Sequence, residues 1–499
     1  MASEKSRLLR SSRVLKSPGT IASESFIVAT SFTHELQLTI SRCMLISLQM
    51  ISELGTIVIA ILFVGQLPNS ALYLSGVGFA RTFVNVTGTA MAWGFTTSLF
   101  TLLPQAIGAG QTRLAAIHIQ RAFYIVTVVA ALLSIIQFFA GDIMVAIGQP
   151  PELRHIVNTY CRLLIPYIFL VSYVTVLQRI LQSLDLNILA TWCALLMFIS
   201  CPLFTWFFMY YLQCGYYGAA IAQCCSMTVF FLSELVMIIY KGYGFMLIPL
   251  PVRLIWTKRG IHHYLALAIP GLFQTAFQWI IEEVGVILAG YVAQPTIALS
   301  TTVILSNLFL FVVAFGVAIC NATNIRVGKY IGRGSIKHAQ RAARVGAYVA
   351  VFAEIVISLV FIFGRNALPR MYTDNADTLQ LTSKMMNVLV IYSCGAVTLQ
   401  VTGGVYRGLG LQKMAAVFVF VSYWLISLPV SIVLLFVLRL REDVFYGTMT
   451  IWAGTLALGN VLGCVCQITY MLLCANWQRA VSKSETRIQH TIMEYRSIE

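Results

Sequence analysis

The sequence has little charge. Only 10% of its 499 residues are Asp, Glu, Lys or Arg, against about 25% in an ordinary soluble chain. With 59% of residues hydrophobic, this excludes a soluble domain and implies a polytopic membrane protein. Histidine is scarce, seven in all, and none is expected inside a span. There is no Gly-rich phosphate loop, no Ser/His/Asp set and no nucleotide-binding domain. These absences speak against an enzyme, against a bound cofactor, and against an ATP-driven pump unless a partner supplies the ATPase. The 12 cysteines mostly stand in apolar runs, singly or as Cys224–Cys225, with no metal-ligand spacing. They read as small hydrophobes, and no metal is expected.

What is present is basic and apolar. The net charge of +15 would suit a nucleic-acid partner, but the basic residues flank apolar runs, so no nucleic acid is expected. A span needs about 20 apolar residues. Twelve runs qualify: 43–66, 73–100, 117–140, 153–181, 188–212, 215–240, 264–291, 296–322, 341–364, 378–405, 412–438 and 445–474. No cleaved leader is expected, because the first run follows the polar tail "MASEKSRLLRSSRVLKSPG". With that tail on the cytoplasmic side, most of the 33 basic residues fall on cytoplasmic segments, as the positive-inside rule requires. Arg81 is left over inside the second run. The expected organisation is all-α, with a cytoplasmic basic tail (1–42), a six-helix bundle (43–240), a cytoplasmic linker (241–263), a second six-helix bundle (264–475) and a cytoplasmic tail (476–499).

The two halves repeat. "QAIGAGQTRLAAIHIQRA" from Gln105 aligns with "GKYIGRGSIKHAQRAARV" from Gly328, placing "IGAG" 107–110 on "IGRG" 331–334. A weaker pair, "LQRILQSL" 177–184 and "VYRGLGLQ" 405–412, sets Arg179 opposite Arg407. Six spans per half bring both halves in from the same side. Parallel, pseudo-symmetric repeats place a substrate site between them, near the midplane.

One stretch carries the chemistry, "FQWIIEEVGVILAG" at 277–290. A carboxylate in hydrocarbon costs at least about 2.5 kcal/mol and is functional by default. Glu282 and Glu283 point about 100° apart on a helix, so both should hardly face one narrow cavity. Burial and a neighbouring acid favour the protonated form of a carboxylate, and a bound cation favours the ionised form. Exchange of a cation for a proton follows from that competition. Glu234 reads as paired with Lys241 or snorkelling, and Glu354 has no explanation in the sequence. Arg81 and Arg162 read as snorkelling outward. Either one facing the cavity would bring in an anionic or zwitterionic substrate.

Seven stretches in order, "FVNVTG", "PQAIGAG", "LQRILQ", "LAIPGLF", "EVGVILAG", "IRVGKYIGRGSIKHAQRA" and "VTGGVYRGLGLQK", make the chain resemble eukaryotic members of the multidrug and toxic compound extrusion family over about 43–480. The resemblance implies twelve helices in two lobes. It also implies export of organic cations and drugs, driven by a proton gradient or, in some branches, by sodium. Glu283 stands at the second of two family glutamates in span seven. The first position holds Gln278, which cannot titrate, and Glu282 lies one turn on, placed to replace it. Glu53 lies on nearly the same face as the acid that some branches carry at the place of Ala60, with Gln49 one turn behind. Asn85 matches a polar family position, and Trp279 a tryptophan suited to cation–π contact. Where relatives have glutamates in spans eight and ten, this chain has Asn307 and Ala396. The rival readings are a lipid-linked oligosaccharide flippase of the same architecture and a transport-dead sensor or scaffold. A monomer is expected in the plasma membrane or an endolysosomal membrane. "EKSRLL" 4–9 and the terminal "YRSIE" resemble signals for sorting adaptors.

Overall fold

The computed structural model describes residues 31–67, 70–147, 150–373 and 375–496. Among these it is helical throughout, and eleven helices are long and apolar enough to cross a membrane. They are α1 (Phe32–Val64), α3 (Thr112–Phe138), α4 (Ile165–Ser183), α5 (Asn187–Tyr211), α6 (Tyr216–Tyr240), α7 (Lys258–Ala289), α8 (Pro295–Gly332), α9 (Ile336–Gly364), α10 (Ala376–Leu409), α11 (Gln412–Val437) and α12 (Val444–Leu473). The remaining expected span, α2, is less apolar because it carries Arg81 and the run "NVTGT". It comprises Ser70–Val84, a π turn Asn85–Thr89 and Ala90–Thr96, breaks at Thr97, and resumes as Leu99–Gly108. The break frees backbone carbonyls. Gln412 Nε2 of the other half donates to the Thr97 carbonyl at 3.0 Å.

Three expected boundaries are corrected. The first helix begins at Phe32, inside the expected tail 1–42. Ser31 caps it by accepting the His34 N–H at 3.2 Å, and its early charges are covered by pairing, described below. The linker is shorter than 241–263, because Thr257 accepts the Gly260 N–H and starts α7 at Lys258. What remains of the linker is tied to α3: Gln120 accepts the Leu250 N–H at 2.8 Å, and Arg121 Nε donates to the Ile255 carbonyl at 3.0 Å. The C-tail is not a free segment. Residues Trp477–Arg496 form an amphipathic helix, α13. Ala480 and Val481 of this helix are buried against Tyr330 and Ile331 of α8. Leu8, Leu9 and Ile498 of the two signal-like tails lie outside the described residues.

The repeat has a physical counterpart at the end of the bundle that bears both tails. There α2 and α8 cross with their backbones in contact. A Cβ on Gly108 would stand 2.1 Å from the Lys329 carbonyl oxygen, and a Cβ on Gly332 would stand 2.1 Å from that of Gln105. In the alignment Gln105 is equivalent to Lys329, and Gly108 to Gly332. The same contact is therefore made twice about one axis, as two parallel repeats require. Gly110 (φ 72°) and Gly334 (φ 75°) close both helices in the left-handed region. The weaker repeat pair is out of register. Equivalent turn hydrogen bonds, Leu186 N–H to Leu181 and Leu411 N–H to Tyr406, pair Asp185 with Gly410. Arg407 therefore lies opposite Gln182, and Arg179 sits about one turn away. Asp185 holds its left-handed φ of 63° without being glycine, a conformation that aspartate tolerates.

Candidate functional site: a cavity between the two halves

Between the halves lies a cavity of about 460 Å³, lined by α1, α2, α4, α7, α8 and α10 among others. The expected residues Glu53, Asn85, Gln278, Trp279, Glu282 and Glu283 all line it. Glu53 accepts hydrogen bonds from Gln178 Nε2 at 2.6 Å and Gln49 Nε2 at 3.3 Å. Gln49 is thus not a wall residue. It is buried one turn behind and orients the Glu53 carboxylate. Glu282 accepts from the Tyr392 hydroxyl at 3.2 Å, and that ring is stacked on Phe309 at 4.1 Å. Glu283 also faces the cavity, against the expectation that only one of the adjacent acids would. The reason is width: α7 runs along the wall, and side chains 100° apart both reach a broad space. Trp279 faces Trp93 of α2 with ring centres 6.0 Å apart, joining the two halves. Asn307, where an acid was expected from the resemblance, lines the cavity and donates to the Val303 carbonyl of its own helix at 2.9 Å.

Arg81 does not snorkel. It is 5% exposed and lines the cavity. Its guanidinium donates to Gln223 at 2.9 Å and to the Tyr167 hydroxyl at 3.1 Å, and it lies 4.9 Å from that ring centre. These neutral partners on α4 and α6 hold it inward. Arg162 behaves as expected: it is exposed and donates to the Phe138 carbonyl at 3.0 Å. Two further arginines were not anticipated. Arg179 and Arg407 line the tail-side floor of the cavity, with guanidinium carbons 3.9 and 5.2 Å from the centre of one ring, Phe100. In the sequence they look like basic residues at span ends. The available signal was a basic residue near the same end of α4 and α10, about one turn out of register between the halves.

Glu234 is fully buried, and neither of its oxygens has a hydrogen-bond partner among the described residues. The expected partner Lys241 is exposed and lies over Tyr240 instead. Glu354 is a joint between α9 and α10: its Oε1 accepts the N–H and the hydroxyl of Thr398, both at 2.8 Å. His118 lies buried in α3, against the expectation that no span holds a histidine. Among the described residues, no group of three His, Cys, Asp or Glu comes together as a metal site.

Below the cavity floor the halves are joined by buried ion pairs. Arg326 of α8 makes a two-pronged bond to Glu35 of α1, at 2.7 and 2.6 Å, and the Tyr330 hydroxyl also donates to Glu35 at 2.8 Å. Asp185, in the turn after α4, takes Lys329 of α8 at 2.8 Å and Arg42 of α1 at 3.1 Å. Burial acts to raise the Asp185 carboxyl, but Lys329 and Arg42 outweigh it and hold the group below the usual carboxylate range. Gln105 Nε2 adds a bond to the Gly408 carbonyl at 2.9 Å. Arg42, Arg326 and Lys329 look like loop charges in the sequence. Here they are latch residues, and the cavity is closed on the tail side.

The two halves match the MatE family pattern separately, at residues 46–207 and 270–433. The chain is 27% identical to Protein DETOXIFICATION 16 of Arabidopsis thaliana over 87% of this chain and 86% of that one. It is 23% identical to Multidrug and toxin extrusion protein 1 of Homo sapiens, over 86% of this chain and 72% of the relative. The crystal structure of the eukaryotic MATE transporter AtDTX14 superposes with a TM-score of 0.82 at 21% identity, covering 92% of this chain and 99% of that one. The cavity acids and arginines named above fall within the matched residues, and the chain belongs to the MatE family.

Proposed function

We propose that the protein is a secondary antiporter that exports organic cations in exchange for protons by alternating access between its two halves. The observation that carries this reading is the set of three carboxylates, Glu53, Glu282 and Glu283, on the wall of one closed-ended cavity with Trp279. A cation and a proton compete for such groups. Family membership and the printed name of the human relative, a multidrug and toxin extrusion protein, support it. The basic bias supports reading the tails as cytoplasmic, and on that reading the cavity faces outward. We place it, as a monomer, in the plasma membrane or an endolysosomal membrane. The family match and the printed name of the human relative do not favour the lipid-linked sugar carrier.

The test is efflux of a cationic dye from proteoliposomes with an imposed pH gradient. Each pH unit supplies about 1.4 kcal/mol per proton, enough for roughly tenfold accumulation. Dye should move down to that limit without sodium. Transport that needs a sodium gradient at equal pH would replace the proton by sodium. No transport under either gradient would leave a sensor or scaffold.

A further inference from the structure

Three guanidinium groups share the cavity with the acids, and the proposed cation exchange does not use them. Arg81, Arg179 and Arg407 are 5%, 7% and 9% exposed. Each has an Nε–H with no hydrogen-bond partner among the described residues. Among the described residues, none of the three has a carboxylate within ion-pair distance, in contrast to Arg42 and Arg326 just below. What they have are neutral contacts: Gln223 and Tyr167 for Arg81, Gln182 at 2.7 Å for Arg179, and the Cys320 sulfur at 2.9 Å for Arg407. Glu53 and the buried Glu234 stand within electrostatic range of Arg179, but neither bonds to it directly, and Glu53 spends its carboxylate on Gln178 and Gln49.

A buried guanidinium without a counter-ion is costly, and an unmade donor adds to that cost. Two of them against one aromatic ring in a cavity wall form a donor-rich floor. Such a floor suits an oxyanion, because the guanidinium fork matches carboxylate, sulfate and phosphate geometry. The acids Glu282 and Glu283 on α7 line the same cavity. The wall therefore carries both signs of charge, with Arg179, Arg407 and Phe100 at the floor.

We propose that Arg179 and Arg407, over Phe100, form a subsite for an anionic group of the substrate, so that the cavity prefers zwitterions to plain cations. This rests on the cation-exporting reading and narrows its substrate class. The group it would take is a carboxylate on an aromatic cation, with the ring system lying toward Phe100 and Trp279.

A matched pair of dyes tests it. Rhodamine 110 carries a free carboxylate, and rhodamine 123 is its methyl ester, with the same cationic ring system. Binding of each to the purified full-length protein is measured by fluorescence anisotropy. Rhodamine 110 should bind at least tenfold tighter than rhodamine 123. Arg407→Gln and Arg179→Gln should each erase that preference, read as the ratio of the two affinities in the same variant. Arg407→Lys and Arg179→Lys, which keep the charge, should retain part of it. They also serve where a glutamine variant fails to give a single peak on size exclusion. Equal or weaker binding of rhodamine 110 to the wild-type protein overturns the subsite but leaves the cation exporter standing. A preference that survives in all folded arginine variants also overturns it. Binding of neither dye overturns both readings.

Discussion

At the scale of single residues, the acids separate into roles. Glu283 faces the cavity on the family position, so Glu283→Gln should abolish pH-driven dye efflux from vesicles while expression and size-exclusion profile stay unchanged. Glu282→Gln should also impair coupling, and adding Gln278→Glu should restore part of it, since residues 278 and 282 lie on one helical face. Wild-type efflux in Glu282→Gln would show that Glu282 serves Tyr392 packing instead. Much of this site was legible in the sequence, because an acid in an apolar run is conspicuous. The arginines were not. A basic residue near a span end has two positions of similar cost, out to the headgroups or inward to a polar cavity, and hydropathy does not distinguish them. What decides for Arg81 is the neutral pair Gln223 and Tyr167, more than eighty residues away in the chain.

At the scale of elements, the helices were legible and their ends less so. Apolar length fixes a span, whereas a start depends on a cap and on pairing of charges from distant segments. Helix α1 reaches back to Phe32 because Arg326 covers Glu35. The latch below the cavity gives an element-scale prediction. Asp185→Asn leaves Lys329 and Arg42 buried without their shared acid, and losing one member of a buried pair costs about 3–5 kcal/mol. Tail-side cysteine probes should then label faster. The pH sign follows from the folded state. Asp185 is held below its unfolded value near 3.9, so its contribution is present above that pH and is lost as pH falls through the folded value. Thermal melts in detergent should show the wild-type protein losing more stability than Asp185→Asn between about pH 5 and pH 3. A parallel loss in both would remove Asp185 from the latch.

At the scale of the whole molecule, the twofold relation of the halves converges on the crossing of α2 and α8. Neither Gly108 nor Gly332 has room for a Cβ beside the facing carbonyl. Gly108→Ala and Gly332→Ala should each destabilise by about 1–3 kcal/mol, as overpacking does, and by similar amounts, because the two sites are equivalent. A melting temperature unchanged in one of them would break that equivalence. The crossing also fixes how the molecule must open toward the tails. A gate built from side chains opens when a rotamer flips, in picoseconds to nanoseconds where the chain is exposed. Here, beside the ion-pair latch, main chain rests on main chain, and no rotamer flip parts that contact. Opening requires α2 and α8 to part as whole helices, carrying their bundles with them. Motions of that size take microseconds to milliseconds, so opening toward the tails is a rocking of whole lobes on that timescale, slower by orders of magnitude than any single side chain at the crossing.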